Sequence, residues 1–138
     1  MKVVLDTNVL LACYSPKSRL FPIWQSFRAQ QYTLCVTTDI LDEYVELIAR
    51  LSSPSIANLI VDIITQSPNT QFVTKHFFWQ LIEADPDDNK FVDCGLIANA
   101  HFLVTEDKHF DVLKTKGFPT LNVIGTDEFI SVLRAQAI

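Results

Sequence analysis

Lys2-Val3-Val4-Leu5-Asp6-Thr7-Asn8-Val9-Leu10 opens the chain with a short β-branched run that stops abruptly at three polar residues. A brief apolar run without polar alternation reads as a buried strand. Asp, Thr and Asn all favour turns and helix starts, and a helix is expected over residues 9–13. A buried strand followed at once by a helix is the opening unit of a parallel sheet covered by helices.

The rest of the chain repeats this unit. Leu34-Cys35-Val36, Phe102-Leu103-Val104 and Leu121-Asn122-Val123-Ile124 read as further strands. Phe21, Ile23, Trp24 and Phe27 share one side of a helix over residues 21–30. Apolar residues from Ile40 to Leu51 recur at helical spacing, with Thr38 or Asp39 as the N-cap, and residues 52–54 end that helix. A helix over 56–64 follows. The stretch 71–81 is compatible with an extended segment and an aromatic turn, and its pattern leaves the assignment open. Asp85-Pro86-Asp87-Asp88 starts a helix running to about Ala100: Asp85 caps, Pro86 suits the first position, and acids suit the first turn. A short helix over 110–114 and a last one over 127–135, capped by Thr126, complete the reading. The predicted fold is α/β: a three-layer α/β/α sandwich around a central parallel sheet of four to five strands, in a single domain spanning 1–138.

Composition narrows the function classes. A chain of 138 residues fits one domain, and 49% hydrophobic residues with ten Phe allow a core without disulfides. Cys13, Cys35 and Cys94 are odd in number and lie in apolar stretches, so they read as reduced core cysteines of a cytoplasmic protein. No apolar run approaches the roughly 18 residues of a membrane span, and no targeting signal is read at the start. The sequence contains neither GxGxxG nor a Walker loop, which argues against a nucleotide cofactor. A net charge of −5 argues against a nonspecific nucleic-acid binder. Acids gathered around a cation do not act as free surface charge, however, and setting four of them aside leaves the remainder near neutrality.

Those four are Asp6, Glu43, Asp88 and Asp107. Asp6 follows the first strand directly, and Asp107 follows the Phe102 strand. Glu43 lies early in the helix after the second strand, and Asp88 in the first turn of the next long helix. In a parallel sheet all strand ends of one kind share an edge, and ligands bind there. The four carboxylates should therefore converge. Converging carboxylates repel unless a cation compensates them. Oxygen-only donors select a hard cation, Mg²⁺ or Mn²⁺, and such a centre can activate water against a phosphodiester. No Ser, Cys or His nucleophile is in a setting to replace it.

The motifs resemble those of a known family. Val3 to Leu10 is similar to the opening strand and first acid of the PIN-domain family. Ile40-Leu41-Asp42-Glu43-Tyr44 resembles its second acidic motif. Asp85-Pro86-Asp87-Asp88-Asn89-Lys90-Phe91 with Leu103-Val104-Thr105-Glu106-Asp107-Lys108 is similar to a branch identified with toxins of bacterial toxin–antitoxin systems. The resemblance implies a Mg²⁺- or Mn²⁺-dependent ribonuclease acting on RNA, a homodimer, and a cognate antitoxin protein as inhibitor. It carries over Asp6, Glu43 and Asp88 as core metal ligands, Asp107 as the fourth acid, and Asn8 and Thr105 as polar supports. Glu106 stands where the family often has Gly, so its side chain would crowd the site or add a fifth acid.

Plainer readings apply to the remaining polar residues. Asp87 is the alternative to Asp88 as ligand, and Asp93 points either at the cleft or into solvent. Lys90 and Lys108 lie next to site acids and suit RNA phosphates, as Lys17 and Arg19 do from a nearby loop, but any one of them reads first as a solvated cation. His76, His101 and His109 have no evident partner. Phe77-Phe78-Trp79 reads as core packing before base stacking or a dimer patch. Two other functions compete: a phospho-acceptor signalling domain, for which the acid pair at the first strand is missing and Asp39, at a helix start, is a poor substitute for the mid-chain acid, and a catalytically inactive binding module.

Overall fold

Five short parallel strands organise the computed structural model, which describes residues 1–75, 82, 86–115 and 121–136. They are β1 (Lys2–Leu5), β2 (Thr33–Val36), β3 (Thr70–Phe72), β4 (Phe102–Val104) and β5 (Val123–Ile124), in the order β3-β2-β1-β4-β5. β1 takes the centre because it is apolar on both faces: Val3, Val4 and Leu5 are all buried. It pairs with β2 through Val3↔Leu34 and with β4 through Val3↔Phe102. The chain steps from β1 to β2 to β3 in one direction and returns across the sheet to β4 and β5. Right-handed crossovers then place helices on both faces, giving the three-layer α/β/α sandwich expected.

Six α-helices are described: α1 (Thr7–Cys13), α2 (Phe21–Arg28), α3 (Thr38–Leu51), α4 (Pro54–Gln66), α5 (Asn89–Ala98) and α6 (Thr126–Gln136). A 3₁₀ turn at Pro86–Asp88 leads into α5, and a 3₁₀ segment spans Lys108–Thr115. α5 crosses β1, β2 and β4, α3 packs on α1 and α4, and α2 meets α6. The α2 face is read correctly, with Ile23, Trp24 and Phe27 buried. Its rings continue the core through Phe27 to Tyr32 and on to Phe129 of α6, which meets Tyr32 edge-on at 5.2 Å. Cys13, Cys35 and Cys94 are free and buried, and burial pushes the Cys13 thiol up to about 12.

The structure corrects several boundaries. The fifth strand, Thr70–Phe72, falls where the sequence pattern was open. It has no apolar face of its own and is drawn into the sheet by pairing, Cys35↔Gln71 and Val36↔Phe72. Just before it, the Asn69 amide donates to the carbonyls of Phe27 and Tyr32 at 2.9 and 2.8 Å, fixing where the strand begins. The cap of α3 is neither Thr38 nor Asp39 but extended Thr37, whose hydroxyl accepts from the Ile40 amide. Pro54 belongs to α4 rather than to the end of α3: it occupies the first turn, and Ser53 caps by accepting from Ile56 at 3.1 Å. α1 starts at Thr7, immediately after Asp6. α5 ends at Ala98, where Asn99 turns left-handed at φ 54°. Thr126 is the first residue of α6, not its cap. His76, Phe77-Phe78-Trp79 and Asp85 lie outside the described residues. Among those described, no helix is long and apolar enough to cross a membrane.

Candidate metal centre

The sheet's geometry delivers its acids to one edge. Asp6 ends β1, and its backbone N–H donates to the Val104 carbonyl at 3.1 Å, so it is tied to the end of β4, from which Thr105 and Asp107 follow. The Asp6 carbonyl accepts from Val9 and Leu10, starting α1 on the same spot. Tyr44, fully buried in α3, donates its hydroxyl to the Leu5 carbonyl at 2.6 Å. That bond sets α3 over the end of β1 and brings Glu43 beside Asp6.

Asp6 is only 6% exposed. Thr105 donates to its Oδ2 at 2.7 Å and accepts from the Asp107 amide at 3.0 Å, so one hydroxyl spaces the two acids. Burial is the main force raising the Asp6 pKa. The Thr105 hydrogen bond and the Thr7 backbone amide oppose it, while the charges of Asp107 and Glu43 push the same way as burial. Asp107 and Glu43 thus both stand close enough to Asp6 for their charges to act on it.

Glu43 arrives with partners. Its Oε2 accepts from the Thr7 hydroxyl, and its Oε1 lies 2.8 Å from the Lys90 ammonium. Burial works against the charge on Lys90, but the Glu43 hydrogen bond and charge, with Asp87 and Asp39 behind them, outweigh it and raise its pKa. The structure therefore sets Lys90 against an acid of the site. Lys108 is exposed at the start of the 3₁₀ segment. Arg19 pairs with Asp127 on the surface, a contact worth little in water.

Asp88, 9% exposed, closes the 3₁₀ turn before α5. With Asp107 and His109 it forms a group whose ligand atoms all lie within 4.8 Å of one another. His109 Nδ1 stands 3.4 Å from Asp88 Oδ2 and 3.5 Å from Asp107 Oδ1. The histidine read as partnerless is thus a member of the site. A sequence signal existed in its position two residues after Asp107, but spacing alone could not turn the ring inward. Asp87 is exposed. Asp93 is buried, at 2% exposure, against the reading that points it into solvent. Asn8 is exposed and lines a pocket of about 280 Å³ beside Asp6 and Asp107, whose apolar wall is Val9, Ala12 and Leu20.

Glu106 also lines that pocket, but its Oε1 is committed elsewhere. It accepts from the Thr126 amide at 2.6 Å and the Thr126 hydroxyl at 2.7 Å, capping α6 from a distance. Gly125 permits this approach, since a Cβ there would stand 3.1 Å from Glu106 Oε1. Glu106→Ala should therefore lower stability by about 1 kcal/mol, as loss of a helix cap does, measured by urea unfolding. No change would mean that the contact is idle in solution.

The sequence family described as PIN domain matches residues 2–109. The chain belongs to the PIN-domain family. PIN domains are generally metal-dependent nucleases, and the match covers every acid of the edge. No curated protein matches the chain. The residues of this PIN domain fit a divalent cation: they present carboxylate oxygens and one imidazole nitrogen, and buried Asp6 carries a raised pKa that a cation would relieve. Asp88 and Asp107 would hold it; Asp6 stands beside them through Thr105 but outside the group whose ligand atoms lie within 4.8 Å, and Glu43 is already balanced by Lys90.

Proposed function

We propose that this PIN domain is a divalent-metal-dependent endoribonuclease, with residues 1–138 forming one nuclease domain. The observation that carries the reading is the delivery of Asp6, Glu43, Asp88 and Asp107 to one sheet edge, with Asp6 buried there. Mg²⁺ or Mn²⁺ bound by these acids would supply charge for the phosphate and a water of lowered pKa.

The chain's own groups have separable tasks. Asp6 and Asp107 are held apart by Thr105, so their spacing is fixed before any ligand arrives. Thr7 and Lys90 orient Glu43 from two sides. The pocket between Asn8 and Leu20 gives the nucleotide beside the scissile phosphate a place to lie, with the Asn8 amide as a donor and acceptor. An RNA substrate is favoured because unpaired bases can be splayed into such a pocket.

Similarity of the Asp85–Phe91 and Leu103–Lys108 motifs to the toxin branch supports a further reading. On it, the protein is the toxin of a toxin–antitoxin pair, acts as a homodimer, and is inhibited by a cognate antitoxin.

Single-turnover cleavage of total RNA tests the nuclease reading, with wild type and Asp107→Asn compared in Mg²⁺, Mn²⁺ and EDTA. Wild type should cut in at least one metal and stop in EDTA, and Asp107→Asn should fall by about 10²-fold. Cleavage that persists in EDTA would overturn the metal reading. Metal binding without cleavage of any RNA would favour an inactive binding module.

A further inference from the structure

We infer that His109 is a direct nitrogen ligand of the cation and biases the centre towards a first-row transition ion over Mg²⁺. This rests on the metal-centre reading above and adds the identity of one donor and the class of cation preferred.

Three contacts place His109 beside two acids. The Asp107 carboxylate accepts the backbone N–H of His109 at 2.9 Å, so the turn from 107 to 109 is pinned by the acid itself. Asp107 is in turn held to Asp6 through Thr105. The ring's Nδ1 then lies 3.4 Å from Asp88 Oδ2 and 3.5 Å from Asp107 Oδ1. These separations exceed the usual N–H···O range of about 2.7–3.2 Å. They match donors sharing one ion, which lie about 3.0–3.5 Å apart when each is about 2.0–2.2 Å from it. Asp88 sits on the turn before α5 and His109 on the segment after β4, so the ring and the two acids approach one point from two elements of the fold.

Donor type sets the consequence. Carboxylate, carbonyl and water suit both Mg²⁺ and Mn²⁺, but Mg²⁺ dehydrates reluctantly and gains little from nitrogen, whereas Mn²⁺, at the start of the first-row series, accepts an imidazole more readily and the later ions more readily still. A centre built only of carboxylates gives little reason to discriminate, and His109 supplies one.

Mn²⁺ is the probe, read by electron paramagnetic resonance with Mg²⁺ as competitor. Wild type should bind Mn²⁺, and its spin-echo modulation should show a directly bound ¹⁴N nucleus. In His109→Gln the modulation should vanish and Mn²⁺ affinity should fall about tenfold, with Mg²⁺ affinity held within about twofold. Retained Mg²⁺ binding also shows that the variant is folded. His101 lies by the start of β1, where its ring accepts from the Lys2 amide, so His101→Gln should keep the nitrogen signal. Bound Mn²⁺ without nitrogen modulation, or equal weakening of both cations in His109→Gln, overturns the inference and leaves the carboxylate centre standing. Wild type that binds neither cation overturns the metal centre itself.

Discussion

Asp6→Asn is expected to abolish RNA cleavage while making the metal-free protein more stable. The first effect follows from the position of Asp6, buried between Glu43 and Asp107 at the end of the central strand. Losing a central acid removes several kcal/mol of stabilisation from a metal-assisted transition state, or about 10³-fold in rate. The second effect follows from burial. The Asp6 pKa is raised in the folded protein, chiefly by desolvation. A carboxyl of this kind favours the fold below its unfolded pKa, and that contribution is lost as pH rises through the folded value. At neutral pH, metal-free wild type therefore carries an ionised group that its surroundings oppose. Asn keeps an oxygen to accept from Thr105 and has no charge to bury. In EDTA, thermal unfolding of Asp6→Asn should lie about 3 °C above wild type, as for a gain of about 1 kcal/mol. The difference should shrink as the pH is lowered into the range where Asp6 is protonated. A variant that melts below wild type at neutral pH would refute this account of the site.

Tyr44 should show the largest stability effect of the residues around the centre. Its ring is wholly buried, and its hydroxyl donates to the Leu5 carbonyl. Tyr44→Ala removes the ring and leaves a cavity at the join of α3 and β1, a change that costs about 4 kcal/mol for large aromatic residues. Tyr44→Phe keeps the packing and loses only the hydrogen bond, for about 1–2 kcal/mol. Urea denaturation of the two variants separates packing from the bond. Equal losses would assign the whole effect to the hydroxyl, and a loss under about 1 kcal/mol for Tyr44→Ala would deny that the ring is core. Because Leu5 precedes Asp6, Tyr44→Phe should also weaken metal binding, whereas an equally costly change far from this edge should not.

What could be read from the sequence divides along physical lines. β1 and Asp6 were legible because a buried strand has a strong apolar signature and the residues after it are turn formers. The approach of Glu43 and Asp107 to Asp6, and of Asp88 to Asp107, was legible because parallel topology leaves only one edge for them. β3 was not, because Thr-Gln-Phe acquires strand geometry only from its register with β2. The α3 cap was misplaced by one or two residues because Thr37, Thr38 and Asp39 all offer a capping oxygen, and only backbone angles choose among them. His109 and Glu106 were missed or misread for a related reason. Glu106 lies in irregular chain after β4 and His109 in the short 3₁₀ segment that follows, where no apolar periodicity predicts side-chain direction, so one turned unforeseen towards α6 and the other towards the acids.

Pairing of β1 with β4 joins residues nearly a whole chain apart: Asp6 and the Thr105 that supports it are separated by 99 positions. Chains are made from the N-terminus, and contacts of long sequence separation form late. A growing polypeptide thus holds Asp6 and Glu43 well before Thr105, Asp107 and His109 exist. Until β4 has been synthesised and has docked beside β1, Asp6 lacks its hydrogen bond from Thr105, and Asp107 and His109 have not been placed beside Asp88. On the nuclease reading, a product terminated before β4 would lack Asp107 and the Thr105 that supports Asp6, and is expected to be inert.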